Sequence, residues 1–296
     1  MSQTVIEVKN LSKKYKDTMA VDNVSFKVEA NKIYGLLGRN GAGKTTIMQM
    51  ITAQLFATQG EIRVFGEHPY ENLKVIQQVC FIKEGQKYPD LFTVRDVMET
   101  AASVYPNWDA EYAKELIEVF RLPMKRLVKR LSRGMLSSVG IIVGLASRAP
   151  ITIFDEPYLG LDAVARELFY DQLIEDYTGH PRTIILSTHL IDEVSRLLEH
   201  IIVIDGGKIL LDDATDDLRG RAYTIVGPSG MVESFIQGQE VIHRESFASM
   251  LSVTLMGSAS TRLKKEAEEL GLETAPVSLQ QLIVYLTKRE KVGGQL

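Results

Sequence analysis

Short apolar or alternating stretches, separated by turn residues, dominate the first part of the chain. The segments TVIEVKNLSKKY, from Thr4, and DNVSFKVEANKIYGLLG, from Asp22, alternate apolar and polar positions or run apolar for a few residues. This pattern predicts strands that lead into a glycine-rich loop. TTIMQMITAQL then has the spacing of a helix, and GEIRVFGE returns as a strand. Strand, glycine loop and helix follow one another in the order that a phosphate-binding unit requires.

The pattern changes twice further along the chain. From Thr93 to about Ala146 it predicts mostly helices, one starting at Asp109 and another near Ser132. PITIFDEP, RTIILSTH and HIIVIDGGKIL are short β-branched apolar runs, which are typical of a parallel sheet buried on both faces. After Gly220, short strands and two helical stretches predict a small α+β appendage. We therefore predict an α/β domain over residues 1–220, with a helical subdomain at about 85–146, and an accessory domain over 221–296.

Composition narrows the classes of partner. A chain of 296 residues with 45% hydrophobic positions can bury a large core, and its formal net charge of −4 argues against a non-specific grip on nucleic acid. Cys80 is the single cysteine and lies in the apolar run QVCFI, so we expect a buried strand residue in a reducing compartment. No uncharged apolar stretch approaches the roughly 20 residues of a membrane helix. We expect that the chain itself does not span a membrane.

The segment GRNGAGKTT is a complete P-loop. Gly38, Gly41 and Gly43 let backbone N–H groups converge on phosphates, Lys44 supplies a positive charge, and the Thr45 hydroxyl can ligate Mg²⁺ beside the helix N-terminus. A chance glycine-rich turn is the alternative, but the flanking strand and helix disfavour it. We expect the nucleotide to contact the whole segment, which comprises Gly38, Arg39, Asn40, Gly41, Ala42, Gly43, Lys44, Thr45 and Thr46.

Two carboxylates and a histidine end two of the predicted strands. Asp155 and Glu156 close ITIFDEP, where the C-terminal edge of a parallel sheet meets its ligand. Neighbouring strand residues point in opposite directions, so Asp155 can hold magnesium, through water, while Glu156 orients the attacking water. An ordinary acidic turn before Pro157 is the alternative interpretation. His189 ends LSTH in the same way and is a candidate catalytic residue rather than a surface histidine.

A second candidate anion site lies at LSRGM, Leu131 to Met135. Ser132 precedes an apolar helical run, and Gly134 allows backbone to come close, so this helix start also suits an anion. One nucleotide does not need two separate phosphate-binding segments. The function of this chain must therefore account for both the P-loop and LSRGM.

Together these segments resemble a known family. GRNGAGKTT, LSRGM, ITIFDEPYLGLDA and LSTH, in this order over about residues 4 to 218, look like the nucleotide-binding subunit of an ATP-binding cassette transporter. The resemblance implies a P-loop NTPase core with an N-terminal antiparallel β subdomain and a helical subdomain. It also implies that two such domains pair head to tail, so that Ser132 and Gly134 of one chain cover the ATP on the P-loop of the other.

The resemblance implies further nucleotide contacts. Tyr15 corresponds to an aromatic residue that stacks on adenine, with Val21 beside it; a half-buried strand tyrosine is the alternative. Leu161 and Asp162 match a segment that crosses the dimer interface. Asp162 also fits the N-cap of the following helix, and both interpretations can hold.

The chain departs from the family pattern at two places. Arg133 and Met135 stand where glycine and glutamine are usual in the signature, and Arg133 either adds an anion contact or points outward. Where a magnesium-sensing glutamine is common, register favours Glu84 as a metal contact, with Gln86 two residues on as the alternative. A carboxylate would interact with magnesium more strongly than an amide. A solvated loop acid remains a third interpretation of Glu84.

The function that this resemblance implies is an ATPase that uses ATP and Mg²⁺ to drive export through a separate membrane-spanning permease. It would work with a second nucleotide-binding subunit, a copy or a paralogue, peripherally at the cytoplasmic face of the cell membrane. The layout looks most like bacterial exporters of drugs, antimicrobials or amphipathic peptides. A soluble cassette ATPase acting on nucleic acid or ribosomes, and a nucleotide-sensing module, are the alternatives. The C-terminal domain would set dimer contacts, dock a partner or only cover an edge of the core.

Overall fold

The computed structural model describes residues 3–257 and 261–293, in two compact units. The first unit comprises Met1–His189 and Leu197–Leu211, and the second comprises Leu190–Arg196 and Asp212–Leu296. The division thus falls nine residues before the predicted boundary after Gly220, and the second unit also takes in a short earlier segment. Within the described residues, no helix is both long and apolar enough to cross a membrane.

A six-stranded sheet forms the centre of the first unit. Its strands are β3 (Ile33–Leu37), β5 (Val79–Ile82), β6 (Ile151–Asp155), β7 (Thr183–Thr188), β8 (His200–Asp205) and β9 (Lys208–Ala214). Their order is β5-β6-β7-β3-β8-β9, and the first five pair in parallel. Every residue of β3, β5, β6 and β7 is buried, including Cys80. The prediction of a parallel sheet buried on both faces is confirmed, because its continuous apolar strands leave no face for water.

A second, antiparallel sheet precedes and flanks the P-loop. It contains β1 (Thr4–Tyr15), β2 (Thr18–Glu29) and β4 (Gln59–Val64), in the order β2-β1-β4. Ile6 pairs with Val28 on one side and Val64 on the other, and all three side chains are buried. The alternating segments of the sequence therefore place one apolar face in the core, as the predicted antiparallel β subdomain requires.

The helices of the first unit begin at polar caps. They are α1 (Lys44–Ile51), α2 (Leu73–Ile76), α3 (Val94–Val104), α4 (Ala110–Val119), α5 (Arg133–Ala146) and α6 (Ala163–Gly179), with a 3-10 turn at Val128–Arg130. The side chains of Asp109, Ser132 and Asp162 accept backbone N–H groups at the starts of α4, α5 and α6. Each cap satisfies a donor that the first turn would leave unpaired. The predicted helix starts at these three residues are confirmed.

The second unit is a small α+β fold. Its elements are α7 (Ile191–Val194), α8 (Thr215–Leu218), β10 (Ala222–Pro228), α9 (Ser229–Phe235), β11 (Val241–Phe247), β12 (Met250–Met256), α10 (Thr261–Glu269), β13 (Glu273–Pro276) and α11 (Leu279–Gly293). The strands form an antiparallel sheet in the order β11-β12-β10-β13. Ile225, Val253 and Leu255 are fully buried in its core. The short strands and the two helical stretches predicted after Gly220 are present, whereas α9 and β13 were not predicted.

Candidate nucleotide-binding site

The P-loop turns from the end of β3 into the first residue of α1. Gly38, Gly41 and Gly43 all have positive φ angles, of 153°, 81° and 109°. A Cβ atom on Gly43 would lie only 2.5 Å from the carbonyl oxygen of Ala20. Both the backbone conformation and the close approach therefore require glycine here. The Lys44 ammonium donates hydrogen bonds of 2.8 Å to the Gly38 carbonyl and 3.3 Å to that of Arg39, which keeps it inside the loop.

Two strand-end carboxylates lie against the first two residues of α1. The Thr45 hydroxyl donates a 2.7 Å hydrogen bond to Oδ2 of Asp155, and the Lys44 ammonium lies 3.6 Å from Oε1 of Glu156. Lys44, Asp155 and Glu156 are all less than 10% exposed. The ends of β3 and β6 meet at one edge of the sheet because both strands flank β7, in parallel register. The structure thus brings the two motifs together, as the sequence predicts.

Glu156 has a left-handed backbone conformation, and one of its carboxylate oxygens contacts two side chains. Its φ angle is 50°, and its backbone N–H donates to the Ser187 carbonyl at 3.1 Å. Its Oε2 atom accepts from the Tyr158 hydroxyl and lies 3.0 Å from Nδ1 of His189. Burial raises the pKa of the Glu156 carboxyl, and the nearby Lys44 and His189 oppose this only in part. A buried carboxyl with a raised pKa is suited to accept a proton.

Two buried carboxylate oxygens at this edge make no hydrogen bond. They are Oδ1 of Asp155 and Oε1 of Glu156. An unpaired buried acceptor is costly, so each oxygen is suited to a ligand that supplies a positive charge or a donor. Among the described residues, no group of three or more His, Cys, Asp or Glu side chains is arranged to hold a metal alone. The donor set formed by Thr45 and Asp155 fits Mg²⁺ shared with phosphate oxygens.

The LSRGM segment lies apart from the P-loop residues. Ser132 caps α5 by accepting the Met135 N–H at 3.2 Å. With Gly134 and Asp162 it lines a surface depression of about 580 Å³. Its other walls come from the same helix start and from residues 119–121, 160–161, 164–165 and 168. No P-loop residue lines it. The two candidate anion sites are therefore separate within the described chain.

Gly134 allows two backbone segments to meet. A Cβ atom at this position would lie 2.6 Å from the carbonyl oxygen of Gly160, a separation that real Cβ atoms do not show. Gly160 itself has a φ angle of 91°. The glycine that the sequence analysis assigned to phosphate approach thus also permits contact between the start of α5 and the segment that leads to Asp162.

Glu84 and Gln86 lie in the loop after β5. Both line a small cavity of about 40 Å³ that Glu156 also lines. The Glu84 carboxylate pairs with the Arg133 guanidinium at 3.3 Å, so two of the three residues that depart from the family pattern contact each other. Arg133 points to Glu84, 72% exposed, rather than into the core. A metal contact by Glu84 or by Gln86 stays a prediction.

Tyr15 and Val21 lie on the strands beside the P-loop. Tyr15 ends β1 and is 43% exposed, with the Lys13 ammonium 5.2 Å from its ring centroid. Val21 is fully buried, and its Cγ2 atom would lie 3.4 Å from a Cβ atom on Gly43. Val21 therefore packs behind the P-loop. Stacking of adenine on Tyr15 stays a prediction.

Tyr158 is a polar residue of the site that the sequence analysis did not single out. It is 4% exposed, and its hydroxyl contacts Oε2 of Glu156 and Nδ1 of His189, the latter at 2.9 Å. The signal in the sequence was a tyrosine two residues after Glu156. That signal is weak, because only the fold shows that its hydroxyl turns back to the strand end.

The parallel sheet, the P-loop and the strand-end carboxylates define a P-loop nucleotide-binding protein. Comparison with known proteins narrows the class: a family model described as ABC transporter matches residues 21–159. The bacitracin transport ATP-binding protein BcrA of Bacillus licheniformis is 32% identical over 225 residues, which cover 74% of this chain and 72% of BcrA. The chain belongs to the family of ABC transporter ATP-binding proteins, and nucleotide binding follows from that membership.

Two further similarities support this family. The Nod factor export ATP-binding protein I of Burkholderia orbicola (strain AU 1054) is 32% identical over 221 residues, which cover 72% of each chain. A solved ATP-binding subunit of an ABC transporter superposes with a TM-score of 0.66 at 27% identity, over 72% of this chain and 91% of that one. The predicted fold class and family are therefore confirmed.

Proposed function

We propose that this chain hydrolyses ATP with Mg²⁺ as one half of a head-to-tail dimer and so powers export through a separate membrane-spanning permease. The observation that carries the proposal is the convergence of phosphate-binding and proton-accepting groups on one sheet edge. Lys44 lies 3.6 Å from Glu156, Thr45 contacts Asp155, and His189 lies 3.0 Å from Glu156. Nucleotide binding alone would need the P-loop and the Asp155 carboxylate. It would not need the buried Glu156 carboxylate to be paired with His189.

Phosphate would be bound by the loop amides and by Lys44. In the described chain the Lys44 ammonium donates to backbone carbonyls and lies beside Glu156. Phosphate oxygens carry more negative charge than a carbonyl, so the ammonium would turn to them when a nucleotide binds. This movement would release Oε1 of Glu156 from its cation.

Magnesium would be held by the Thr45 hydroxyl and by Asp155, directly or through water, with Glu84 as a further predicted contact. The unpaired Oδ1 of Asp155 supports this assignment because it is buried and lacks a donor. When bound, Mg²⁺ would neutralise charge on the β- and γ-phosphate oxygens.

Glu156 would act as the general base. Its carboxylate would accept a proton from water while the water oxygen bonds to the γ-phosphorus and the bond to the ADP oxygen breaks, which gives ADP and inorganic phosphate. His189 would contact the γ-phosphate from the neighbouring strand end. The raised pKa of Glu156 supports this role, since a more basic carboxylate accepts a proton more readily.

A second chain would complete the site. The start of α5, with Ser132 and Gly134, would bind the γ-phosphate held on the partner's P-loop, and Leu161 and Asp162 would cross the interface. The separation of this depression from the P-loop supports the arrangement. Closure of the dimer would then depend on the γ-phosphate, and the dimer would open after hydrolysis. This answers why one chain has two candidate anion sites.

Two relatives, a bacitracin transport ATP-binding protein and a Nod factor export ATP-binding protein, support an export role with a membrane partner. The chain would act peripherally at the cytoplasmic face of the cell membrane, with residues 1–220 as the nucleotide-binding domain and 221–296 as an accessory domain. Its cargo would belong to the drug, antimicrobial or amphipathic peptide class.

The test measures phosphate release by the full chain with ATP, with and without Mg²⁺ and with the permease in proteoliposomes. We expect Mg²⁺-dependent hydrolysis that the permease stimulates and that Lys44→Ala abolishes together with ATP binding. Nucleic acid and ribosomes are the matched alternative partners. Stimulation by either of them but not by the permease would contradict the export role, and absence of hydrolysis under all conditions would contradict the ATPase.

A further inference from the structure

We infer that Tyr158 is a positioning residue that fixes one oxygen of Glu156 and leaves the other free for the attacking water. The inference rests on the proposed ATPase function and adds a residue to it. It follows from the position of the Tyr158 hydroxyl, which contacts Oε2 of Glu156 and lies 2.9 Å from Nδ1 of His189. Both the ring and the hydroxyl are buried, since Tyr158 is 4% exposed.

The donors and acceptors of this cluster assign one arrangement of protons. A carboxylate only accepts, so the single phenolic proton of Tyr158 is donated to Oε2 of Glu156. The phenolic oxygen can then only accept at its other contacts. It accepts the backbone N–H of His189, at 3.2 Å, and Nδ1 of His189 carries the proton that points toward Tyr158 and Glu156.

The two oxygens of Glu156 are therefore in different situations. Oε2 is held by the Tyr158 hydroxyl and by Nδ1 of His189. Among the described residues, Oε1 makes no hydrogen bond, and the Lys44 ammonium lies 3.6 Å from it. Once Lys44 turns to phosphate, Oε1 is the acceptor that remains for water. Because Oε2 is anchored, the carboxylate cannot rotate to offer its lone pairs elsewhere, and that fixed geometry is what proton transfer requires.

The hydroxyl, rather than the ring, carries this role. The Tyr158 and His189 rings pack edge to face with centroids 5.7 Å apart, a contact that phenylalanine would keep. Tyr158→Phe therefore removes the contacts of the hydroxyl with Glu156 and His189 without opening a cavity. A purely structural tyrosine would tolerate this change, whereas an anchoring hydroxyl would not, because Oε2 of Glu156 would then be held by Nδ1 of His189 alone.

The experiment compares steady-state ATP hydrolysis and equilibrium ATP binding for the full-length wild type, Tyr158→Phe and Tyr34→Phe. Tyr34 is the matched control, since it is also buried, at 1% exposure, and its hydroxyl accepts a 2.9 Å hydrogen bond from the Glu29 N–H, away from the carboxylate. We expect Tyr158→Phe to lower kcat about tenfold, with the Kd and KM for ATP changed less than about twofold. Tyr34→Phe should leave kcat within about twofold of wild type.

A second comparison uses the Glu156→Gln background in single-turnover hydrolysis. If Tyr158 acts through Glu156, adding Tyr158→Phe to Glu156→Gln should slow the remaining reaction less than about twofold. A further slowing of about tenfold would overturn the inference, because the hydroxyl would then act independently of the base. So would an unchanged kcat in the single variant, or equal losses of kcat and ATP affinity.

Failure of the proposed function has a different signature. An inactive wild type, or a Glu156→Gln variant as active as wild type, would contradict the ATPase assignment and the inference with it. An active wild type that loses turnover with Glu156→Gln but not with Tyr158→Phe would overturn the inference alone.

Discussion

The P-loop edge and the LSRGM segment both suit an anion, yet they differ in burial and in partners. At the P-loop edge, Lys44 and Glu156 are 6% and 7% exposed, and the Lys44 ammonium lies 3.6 Å from the Glu156 carboxylate of the same chain. At the LSRGM segment, Ser132 is exposed and lines an open depression with residues of its own helix start and of the 160–162 segment. The groups at the P-loop edge come together within one chain, whereas the LSRGM segment would need a second chain to complete a site.

This difference leads us to expect that the two regions serve different steps of the reaction. Buried, mutually paired groups can select a nucleotide and hold it, because they are already oriented before it arrives. An exposed helix start can attract an anion, but Ser132 would bind the phosphate of a nucleotide held on another P-loop only when a second chain presents it. The proposed dimer therefore needs both regions, and changes in each should affect different steps.

The largest expected effect separates chemistry from binding at the P-loop edge. Glu156→Gln keeps the cradle formed by the loop amides and Lys44 but removes the base, so kcat should fall by about 100-fold or more while the Kd for ATP stays within about threefold. Phosphate release and equilibrium titration provide the two measurements.

The same variant tests the second region as well. Without hydrolysis, the γ-phosphate persists, and light scattering after size exclusion should show an ATP-dependent dimer. Lys44→Ala serves as the control that binds no ATP and stays monomeric. Hydrolysis by Glu156→Gln at near the wild-type rate would remove Glu156 from its role.

A smaller effect is expected from Gly134→Ala in the LSRGM segment. The added Cβ would lie 2.6 Å from the Gly160 carbonyl, so one of the two segments must move, at a cost of about 1–3 kcal/mol in the free energy of unfolding. The matched control is Gly179→Ala at the end of α6, where a Cβ meets nothing within 4 Å. Denaturant unfolding measures both variants. Equal stability of the two would mean that the close approach to Gly160 is not tight.

A further, milder effect concerns recognition of the adenine base by Tyr15. Tyr15→Ala should weaken ATP binding about five- to tenfold, whereas Tyr15→Phe should change it less than about twofold, because stacking needs the ring and not the hydroxyl. GTP should compete appreciably for the same reason. Titration with a fluorescent nucleotide measures all three, and identical behaviour of the alanine and phenylalanine variants would exclude Tyr15 from the site.

The smallest effect should come from the Glu84 and Arg133 ion pair. Its side chains are 49% and 72% exposed, and pairs as exposed as this contribute roughly 0–1 kcal/mol. A double-mutant cycle with Glu84→Gln and Arg133→Gln should give a coupling below about 0.5 kcal/mol in the free energy of unfolding. A larger coupling that persists at high salt would show that the pair is structurally important.

The sequence predicted the elements whose signals are local. The glycines of the P-loop, the caps at Ser132 and Asp162 and the buried parallel strands each follow from a few adjacent residues, and the structure has them. The strand β13 was missed because ETAP contains no apolar alternation and ends in proline. Its pairing with β10, from Val226↔Glu273 to Tyr223↔Pro276, comes from tertiary contacts instead.

Contacts between distant residues were beyond the sequence. Glu84 and Arg133 are 49 residues apart, and nothing in either segment indicates that they meet. The hydroxyl of Tyr158 was invisible for a related reason, since its partner His189 is 31 residues away. The extent of the second unit depends on similar contacts, because the Asp192 N–H in α7 donates to the Gln280 side chain in α11. Propensity and periodicity carry no information about such pairs.

The central claim is that Ser132 serves the nucleotide of the partner chain. The most direct measurement mixes two inactive variants, Lys44→Ala and Ser132→Arg, and follows ATP hydrolysis. Neither variant can form an intact site from copies of itself alone. The mixed dimer has one site with both lesions and one site with an intact Lys44 from one chain and an intact Ser132 from the other.

The reference is a tethered dimer of one wild-type chain and one chain that carries both Lys44→Ala and Ser132→Arg. If each site combines the P-loop of one chain with Ser132 of the other, both sites of this dimer carry one lesion. If each site belongs to one chain, the site of the wild-type chain stays intact. Fluorescence exchange between labelled subunits establishes that mixed dimers form. The account predicts that hydrolysis reappears on mixing and that the tethered dimer is inactive. No recovery on mixing despite exchange, together with an active tethered dimer, would mean that Ser132 serves its own chain and would contradict the account.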